Sequence, residues 1–525
     1  MSRLRYGPLQ TATLLLLLGS ATAAQEVRDE SHVDRPCAGL SAPAELDPER
    51  SWLMPRPAPA PDSGCLRAVR IRSLPVEGRL VFRTGIPDPR EAGVGLPLAG
   101  TSAHLRAGAD VTIGRLTFRI APEFALAQNA DFFTFTAADV FVEGFNPPFD
   151  RSRSDFASPW YHGHVSADLP SRPGNQPFGR LHLGESAAAL RVGPLTMAVT
   201  SALPQWGPDV GEGLVLGRSA PGFPRWEARL DQSSTAGQSS LRWFSGVVLE
   251  SRFFDQDASN NQRGLAGLRL EHRVAGLSLG ASRTVMGTGR LGRMERAAGL
   301  PFTRAHATDS VIDLLSLDAR FVTAATGGVV WTEVTRQTPL RSGQDLLRLP
   351  TEGIALRFGF EQRLMGTERA EWRLGTEFVR LDQPAQRVGR HPADFYTSAA
   401  VIQGWTHLGH PLGSGLGPGG QRQLVSVERR SHTLRVRVFG ERARWNDDAL
   451  YRQYLPNWYR HDVSYQLGLR AAVGTTGAEQ ALSLRWGRRT NYLFQNDFYN
   501  PGYRLHDVTA WQVALTLSPT TPRPR

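Results

Sequence analysis

The chain has 525 residues, a formal net charge of +11 and a mean hydropathy of −0.30. This polarity excludes a helical membrane protein, which needs apolar runs of about 18 residues or more. The charge comes from arginine alone, because the sequence contains no lysine. Two explanations of this bias are open. One is codon usage in a GC-rich genome, and the other is a need for guanidinium groups that bind carboxylates and phosphates. The scattering of the arginines along the chain argues against nucleic acid as a partner.

The N-terminus has the layout of a secretory signal peptide, which we predict at residues 1–24. A basic start with Arg3 and Arg5 precedes the leucine run Leu14–Leu18, and residues 21–24 offer small side chains for cleavage. No later stretch approaches the length of a transmembrane helix. The mature chain is therefore predicted to be exported.

Residues 25–78 lack strand periodicity and are predicted to form a periplasmic N-terminal extension. The proline-rich run at 55–61 is typical of an extended linker. The only two cysteines, Cys37 and Cys65, lie in this extension. Two thiols in an oxidising compartment predict one disulfide, for which we expect a structural rather than a redox role.

From residue 79 to residue 517, the chain consists of segments of roughly ten residues in which apolar and polar side chains alternate. In one segment, Trp372, Leu374 and Phe378 share one face, while Arg373 and Glu377 share the other. This period of two is the pattern of a β-strand with one apolar face. A soluble β-sandwich and a membrane barrel both produce it.

The lengths of the connections favour the barrel, because outer-membrane barrels have short periplasmic turns and longer external loops. Counted back from the last strand, long connections such as 201–224 and 445–462 alternate with short ones such as 192–193 and 430–432. This order predicts an all-β fold, a transmembrane antiparallel β-barrel of about 18 strands in the bacterial outer membrane. Residues 518–525 would form a C-terminal tail.

The connection 201–224 is unusually rich in glycine and tryptophan for an external loop. Glycine permits close backbone turns, and a loop of this size fits inside a large barrel. We predict that it forms a plug in the lumen, with direct contact to a ligand as the alternative. The predicted plug residues are Gln205, Trp206, Gly207, Pro208, Gly211 and Gly213.

Aromatic and amide side chains are concentrated in the loops 201–224, 395–421, 445–462 and 488–507, which the loop order places at one external mouth. Aromatic faces stack on sugar rings, and amide and guanidinium groups bind hydroxyls and carboxylates. An interfacial aromatic girdle, or packing within the loops, accounts for the same residues. The candidates for glycan binding are Trp206, Arg218, Trp405, Arg452, Tyr454, Trp458, Tyr459, Asn491 and Tyr492.

The sequence predicts neither a catalytic site nor a metal site. Gly276–Gly280 matches the nucleophile-elbow pattern, which needs a strand, a sharp turn and a helix, but Ser278 lies within an alternating run. The histidines at 162–164 and 407–410 lack the three or four convergent ligands of a metal site. We therefore expect no enzymatic activity and no cofactor.

Three stretches in order resemble the Wzi family of capsule-assembly proteins. They are Leu203–Gly213 with its Pro-Gln-Trp-Gly-Pro sequence, Leu279–Arg283 before a Met-Gly-containing loop, and Tyr396–Gln421. The family signature has a second tryptophan that is missing after Trp206. The resemblance implies a plugged outer-membrane barrel of about 18 strands, acting as a lectin-like protein that helps attach capsular polysaccharide. Family members can carry a periplasmic helical bundle, for which residues 25–78 are too short and proline-rich.

The sequence thus predicts a lectin-like barrel that binds capsular or exopolysaccharide and helps attach or assemble it at the cell surface. Its expected partners are this polysaccharide and outer-membrane lipid, including lipopolysaccharide, and we expect a monomer. A porin-like transport channel is the alternative, since a polar lumen fits either function. An outer-membrane hydrolase that uses Ser278 is a third class.

We predict that Cys37 and Cys65 form a disulfide, because a cross-link would restrict a segment that has little apolar core of its own. Thiol titration of the purified, denatured and unreduced protein should find no free thiol. Two titratable thiols under these conditions would refute the bridge.

Overall fold

The computed structural model describes residues 69–86, 88, 90, 93–95, 98–132, 167–170, 172, 174–208, 212–254, 261–288, 311–323, 327–337, 353–367, 369–383, 395–398, 400–453, 461–474, 478–494 and 507–519. The predicted signal peptide and both cysteines lie outside these ranges, so the signal peptide and the disulfide remain predictions. Within the described ranges, no helix is long and apolar enough to cross a lipid bilayer.

One antiparallel sheet closes on itself as a barrel. The sheet contains 20 strand segments, and two strands are each built from two segments, which leaves 18 strands. The strands are β1 (Val69–Arg83), β2 (Gly100–Ile113), β3 (Leu116–Ile120 and Glu123–Ala127), β4 (Phe178–His182 and Ala187–Val192), β5 (Leu195–Thr200), β6 (Arg225–Ser234), β7 (Gly237–Leu249), β8 (Gln262–Val274), β9 (Leu277–Gly287), β10 (Val311–Thr323), β11 (Gly328–Gln337), β12 (Ile354–Gly366), β13 (Ala370–Arg380), β14 (Gln421–Ser431), β15 (Leu434–Trp445), β16 (Asp462–Gly474), β17 (Ala478–Thr490) and β18 (Val508–Pro519).

The two interrupted strands, β3 and β4, lie side by side. The two segments of β3 pair with the two halves of β2, and the segments of β4 pair with those of β3. The break in β3 falls at Ala121 and Pro122. Proline has no N–H to donate to a β-ladder, so the regular pairing stops there and resumes beyond it.

The predicted strand number and the alternation of long and short connections are confirmed. β1 pairs with β18 and closes the ring. The short turn between β8 and β9 is built by Ala275 (φ 46°) and Gly276 (φ 86°), the left-handed conformations that a two-residue hairpin requires. We assign the end with these short turns to the periplasm and the end with the long loops to the exterior.

The first strand begins earlier than the sequence analysis predicted. β1 starts at Val69, whereas the barrel was predicted from residue 79, so residues 69–78 belong to the barrel and not to the extension. The pairing of β1 with β2 shifts between Leu74 and Glu77, around Pro75. This irregularity interrupts the alternation of apolar and polar side chains, so the first half of the strand could not be recognised from the sequence. At the other end, β18 continues to Pro519, past the predicted limit at residue 517.

The outer face of the barrel is apolar. Large apolar side chains on every part of the wall are exposed, among them Phe118, Leu181, Leu270, Leu317, Phe358, Val425, Leu467 and Leu515. A closed barrel satisfies its backbone hydrogen bonds internally, and an apolar exterior suits hydrocarbon. The fold therefore confirms the predicted location in a bacterial outer membrane.

The inner face carries arginine–carboxylate pairs. Arg119 donates to both oxygens of Asp110 at 2.7 and 2.8 Å, and Arg269 donates to both oxygens of Asp318 at 2.6 and 3.0 Å. Such bidentate pairs offset the cost of holding charges where water is scarce. These arginines are therefore committed to carboxylates of the wall itself.

A charged side chain on the outer face should destabilise the barrel according to its depth in the bilayer. Leu317, in the middle of β10, is 60% exposed, and we expect Leu317→Arg to lower the free energy of unfolding by about 2–4 kcal/mol. Val274→Arg, at the periplasmic end of β8, should cost roughly 0–1 kcal/mol. Urea titration in lipid vesicles measures both, and equal losses would show that the exterior does not face hydrocarbon.

Candidate functional site

Two external loops turn into the lumen and form the plug. The first plug loop joins β5 to β6 and is described at 201–208 and 212–224, and the second joins β13 to β14 and is described at 381–383, 395–398 and 400–420. Both contribute to one apolar cluster that includes wall residues of β7 to β15. The plug members of the cluster are Trp206, Leu214, Val215, Leu216, Ala220, Phe223, Leu381, Phe395, Tyr396, Val401, Trp405, Leu412 and Leu416.

Tyr396 and Trp405 fasten the second plug loop to the first. The Tyr396 hydroxyl donates to the carbonyl oxygen of Leu214 and accepts from the N–H of Ser414 at 3.1 Å. Trp405 Nε1 donates to the carbonyl oxygen of Val215 at 2.8 Å. Burial raises the pKa of the Tyr396 hydroxyl well above its usual range, so it remains a proton donor. The two loops are therefore locked by side chains that are completely enclosed.

Backbone contacts reinforce this lock. Gly217 N–H donates to the carbonyl oxygen of Leu412 at 2.7 Å, and a Cβ atom added at Gly217 would lie 2.6 Å from the carbonyl oxygen of Gly413. No other residue type fits so close an approach, because its Cβ would collide with the facing backbone. The glycine richness that predicted the plug thus reflects close contact between two backbones.

Charged side chains of the wall attach the first plug loop. Glu333 of β11 accepts from Leu214 N–H at 3.1 and 3.0 Å. Arg269 of β8, already paired with Asp318, donates to the carbonyl oxygen of Gly207 at 3.1 Å. Buried polar groups need such partners, and these contacts place the loop at a fixed depth. The predicted plug residues Gln205, Trp206, Gly207, Pro208 and Gly213 lie in this loop, while Gly211 lies outside the described residues.

A short hairpin in the second plug loop, Thr406–His407 paired with His410–Pro411, rests against β7. His407 Nδ1 accepts from Leu249 N–H at 2.9 Å, and Leu408 N–H donates to the carbonyl oxygen of Leu249 at 2.7 Å. Burial lowers the pKa of His407 to about 3, which keeps the ring neutral and able to accept. His407 therefore serves the attachment of the plug.

Four of the predicted glycan-binding residues are enclosed. Trp405 is 0% exposed and Trp206 is 5% exposed, and Asn491 and Tyr492 are both 3% exposed. Their ring faces and amides contact protein, so in this structure none of them offers an open surface to a sugar ring. The prediction placed them on the rim because sequence does not show whether a loop aromatic turns inward, where it gains free energy from burial.

The remaining candidates have different positions. Arg218 is exposed and donates to Gln205 Oε1 at 3.3 Å, so its guanidinium lies at the surface of the plug. Arg452 belongs to the helix α1 (Asp447–Gln453) between β15 and β16, and its side chain lies outside the described part. Tyr454, Trp458 and Tyr459 are also outside it, and their roles remain predictions.

A pocket that the sequence analysis missed lies beside the plug, at the external ends of β15 to β18 and β1. It has a volume of about 60 Å³. Its charged and polar lining includes Arg83, Asp88, Gln466, Arg485, Arg489 and Gln512. The only sequence signal was the recurrence of arginine on the inward face of the last strands, which resembled the lumenal arginines elsewhere.

The acidic side chain at this pocket is already bound. Asp88, in the loop after β1, accepts from Arg90 Nε and Nη2, both at 2.7 Å, and Arg90 also contacts Glu441. Burial by itself would raise the pKa of Asp88, but the charge and hydrogen bonds of Arg90 outweigh it and hold the pKa well below its usual range. Asp88 is therefore ionised and engaged.

The nucleophile-elbow match does not form an elbow. Gly276 lies in the tight turn before β9, and Ser278 lies within that strand, opposite Arg320 of β10. The chain continues as a strand to Gly287 instead of entering a helix. The strained turn that would expose a nucleophilic serine is therefore absent from this described segment.

Comparison with known proteins finds a solved structure with a similar fold. No protein-family model and no curated sequence matches the chain. The structure is similar to that of Wzi from Escherichia coli, an outer-membrane protein involved in group 1 capsule assembly and a carbohydrate-binding β-barrel, with a TM-score of 0.54, 13% identity and 85% of each chain covered. OccAB3 from Acinetobacter baumannii gives a TM-score of 0.41 and 10% identity over 85% of this chain and 99% of the other. The resemblance seen in the sequence is confirmed at the level of the fold.

Removing the Trp405 ring should loosen the plug and leave the wall intact. Trp405→Ala deletes a fully buried side chain, a change that costs about 3–5 kcal/mol, but it breaks no wall pairing. We expect ion conductance in planar bilayers to rise above that of the parent protein. Trp226→Ala, which removes a 64% exposed tryptophan of the outer face, should leave conductance unchanged, and equal conductance of all three proteins would refute this role for Trp405.

Proposed function

We propose that the protein is a lectin-like barrel that binds capsular or exopolysaccharide at the cell surface and helps attach or assemble it there, without enzymatic turnover. The observation that carries this proposal is the interlocked plug. Two loops joined through Tyr396 and Trp405, and fixed to the wall through Glu333 and Arg269, share an apolar core inside the lumen. Such a barrel is suited to present a fixed surface rather than to pass a solute.

The similarity to the carbohydrate-binding barrel Wzi supports the same proposal. The external mouth is formed by the long loops, and Arg218 presents an exposed side chain on the first plug loop. Guanidinium groups bind hydroxyls and carboxylates. Lipopolysaccharide would surround the barrel in the outer leaflet, and a single chain with a closed sheet has no unpaired strand edge that calls for a second subunit.

A transport channel is the alternative, and one feature favours it. On the periplasmic side, Glu361, Arg373 and Arg430 form a partly exposed ionic cluster with Arg373–Glu361 at 2.8 Å and Arg430–Glu361 at 3.5 Å. A charged, water-accessible lumen suits the passage of polar solutes. Large and steady conductance of the parent protein in planar bilayers would favour the channel over the binding protein.

The binding function is tested by the distribution of polysaccharide between cells and medium. Deleting the gene should move surface polysaccharide into the medium, and the parent gene should restore it to the cells. A gene carrying Tyr454→Ala with Trp458→Ala should restore it poorly, because weak stacking contacts act together across several loops.

A matched double variant on the outer face, Trp226→Ala with Tyr465→Ala, controls for the loss of two aromatic rings. The heat-dependent electrophoretic shift of folded barrels verifies that each protein has folded. Full retention of polysaccharide by the deletion strain would refute the proposed function. Full retention by the loop variant alone would place the binding residues elsewhere on the mouth.

A further inference from the structure

The outward side chains of β17 change character along the strand. Alternate residues of a strand share a face, and Leu482 and Leu484 are exposed on the outer face of the barrel. The same face continues toward the exterior with Trp486 and then Arg488. The strand thus passes from apolar residues that face lipid, through an aromatic residue, to a guanidinium group.

The neighbouring strands repeat this order at the same height. Trp486 lies opposite Trp511 of β18, and the centroids of the two rings are 6.4 Å apart. Arg488 lies opposite Tyr465 of β16, which lies in turn opposite Arg442 of β15. Arg442, Tyr465 and Arg488 therefore form a row that is two residues, or about 7 Å, nearer the exterior than the tryptophans. The two arginines of this row are one strand apart, which separates their backbones by about 10 Å.

A second row lies two residues further toward the exterior. Arg380, at the end of β13, lies opposite Gln421 of β14, which lies opposite Arg444 of β15. Arg444 is committed to helix α1, where it binds a carboxylate at 2.7 Å. We call the other three outward arginines, Arg380, Arg442 and Arg488, the arginine band.

The protein neutralises the arginine band only in part. Arg442 is partly exposed, and it makes no ion pair with the described residues. Arg488 contacts Asp507 at 2.8 Å, and its side chain is 55% exposed. Arg380 contacts Asp382 at 3.3 Å, and its side chain is 35% exposed. Exposed ion pairs of this kind are weak, and a guanidinium with five N–H donors retains several for another acceptor.

No outward carboxylate balances the band within the described strands β13 to β18. Every aspartate and glutamate of these strands lies on the lumenal face, as Glu377 and Glu441 do. Across the barrel, the outward residues near the external ends of β1, β3 and β6 are apolar, namely Phe82, Leu126 and Trp226. The sector of β13 to β17 therefore differs from this opposite sector in carrying positive charge that is complementary to an anion.

We propose that the arginine band binds the phosphate groups of lipid A, the phosphorylated and acylated glycolipid part of lipopolysaccharide. The tryptophan pair marks the level at which acyl chains meet headgroups, and the band lies just outside that level. Guanidinium groups bind phosphate at two points, while the apolar side chains below the tryptophans pack against acyl chains. This inference goes beyond the proposed function, because it concerns the lipid at the wall and not the polysaccharide at the mouth.

The test uses the full-length protein purified in detergent, with calorimetric titration of three probes. The probes are lipid A with both phosphates, the same lipid after removal of both phosphates, and inorganic phosphate. We expect lipid A to bind in a manner weakened by salt. The dephosphorylated lipid should bind at least about tenfold more weakly, because charge-assisted hydrogen bonds are lost. Inorganic phosphate should also bind more weakly than lipid A, because it has no acyl chains to pack against the wall.

A pair of double variants locates the site. Arg442→Gln with Arg488→Gln removes both charges of the first row and should weaken lipid A binding by about tenfold or more. The matched control is Arg115→Gln with Arg429→Gln, which removes two exposed guanidinium groups at the periplasmic end of the barrel and should leave binding unchanged. The electrophoretic heat shift shows whether each variant is folded.

Several outcomes would overturn the proposal. Equal affinity for lipid A with and without its phosphates would show that phosphate is not recognised. Unchanged affinity in the folded Arg442→Gln, Arg488→Gln protein would place the lipid elsewhere on the wall. Both results would leave the proposed polysaccharide-binding function standing. Inorganic phosphate bound as tightly as lipid A would assign the band to a free anion, and displacement of lipid A by trigalacturonate would assign it to an acidic polysaccharide.

Discussion

The closed ladder of backbone hydrogen bonds, completed where β1 pairs with β18, is the constraint on which the rest of the structure depends. Hydrocarbon offers no partner for backbone N–H and C=O groups, so the ring must close. Once it is closed, each strand has one face toward lipid and one toward the lumen. The apolar outer face and the charged inner face follow from this single condition.

Charges on the inner face then need partners of their own where they are buried, as Arg269 and Asp318 are. Arginine meets this need with a planar fork that binds a carboxylate at two points, as Arg119 does with Asp110 and Arg269 with Asp318. Charged wall groups also hold the plug, since Arg269 donates to the carbonyl oxygen of Gly207 and Glu333 accepts from Leu214 N–H. The ionic wall thus both stabilises the barrel and positions the loops inside it.

The number of strands could be predicted from the sequence because an up-and-down barrel must alternate its turns and loops, and connection length shows this alternation directly. The start of β1 could not, because Pro75 and the shifted pairing after Leu74 break the alternation of apolar residues. Trp206 was predicted in the plug from the glycines around it, and it is buried in the apolar cluster of the first plug loop. Trp405 was expected on the rim, because the period of two that orients a strand residue has no counterpart in a loop.

The residues of the pocket could not be predicted from the sequence for a different reason. Arg83 and Gln512 are 429 positions apart along the chain, and they meet only because closure sets the first strand in register with the last. Neither residue differs from the other polar residues on the inner face until that register is known. The apolar cluster of the plug takes its wall residues from strands between β7 and β15, whereas a separate, smaller cluster with Ile86 and Tyr492 lies at the seam. The lumen is therefore asymmetric, because the apolar packing that holds the plug is concentrated on one side of the described wall.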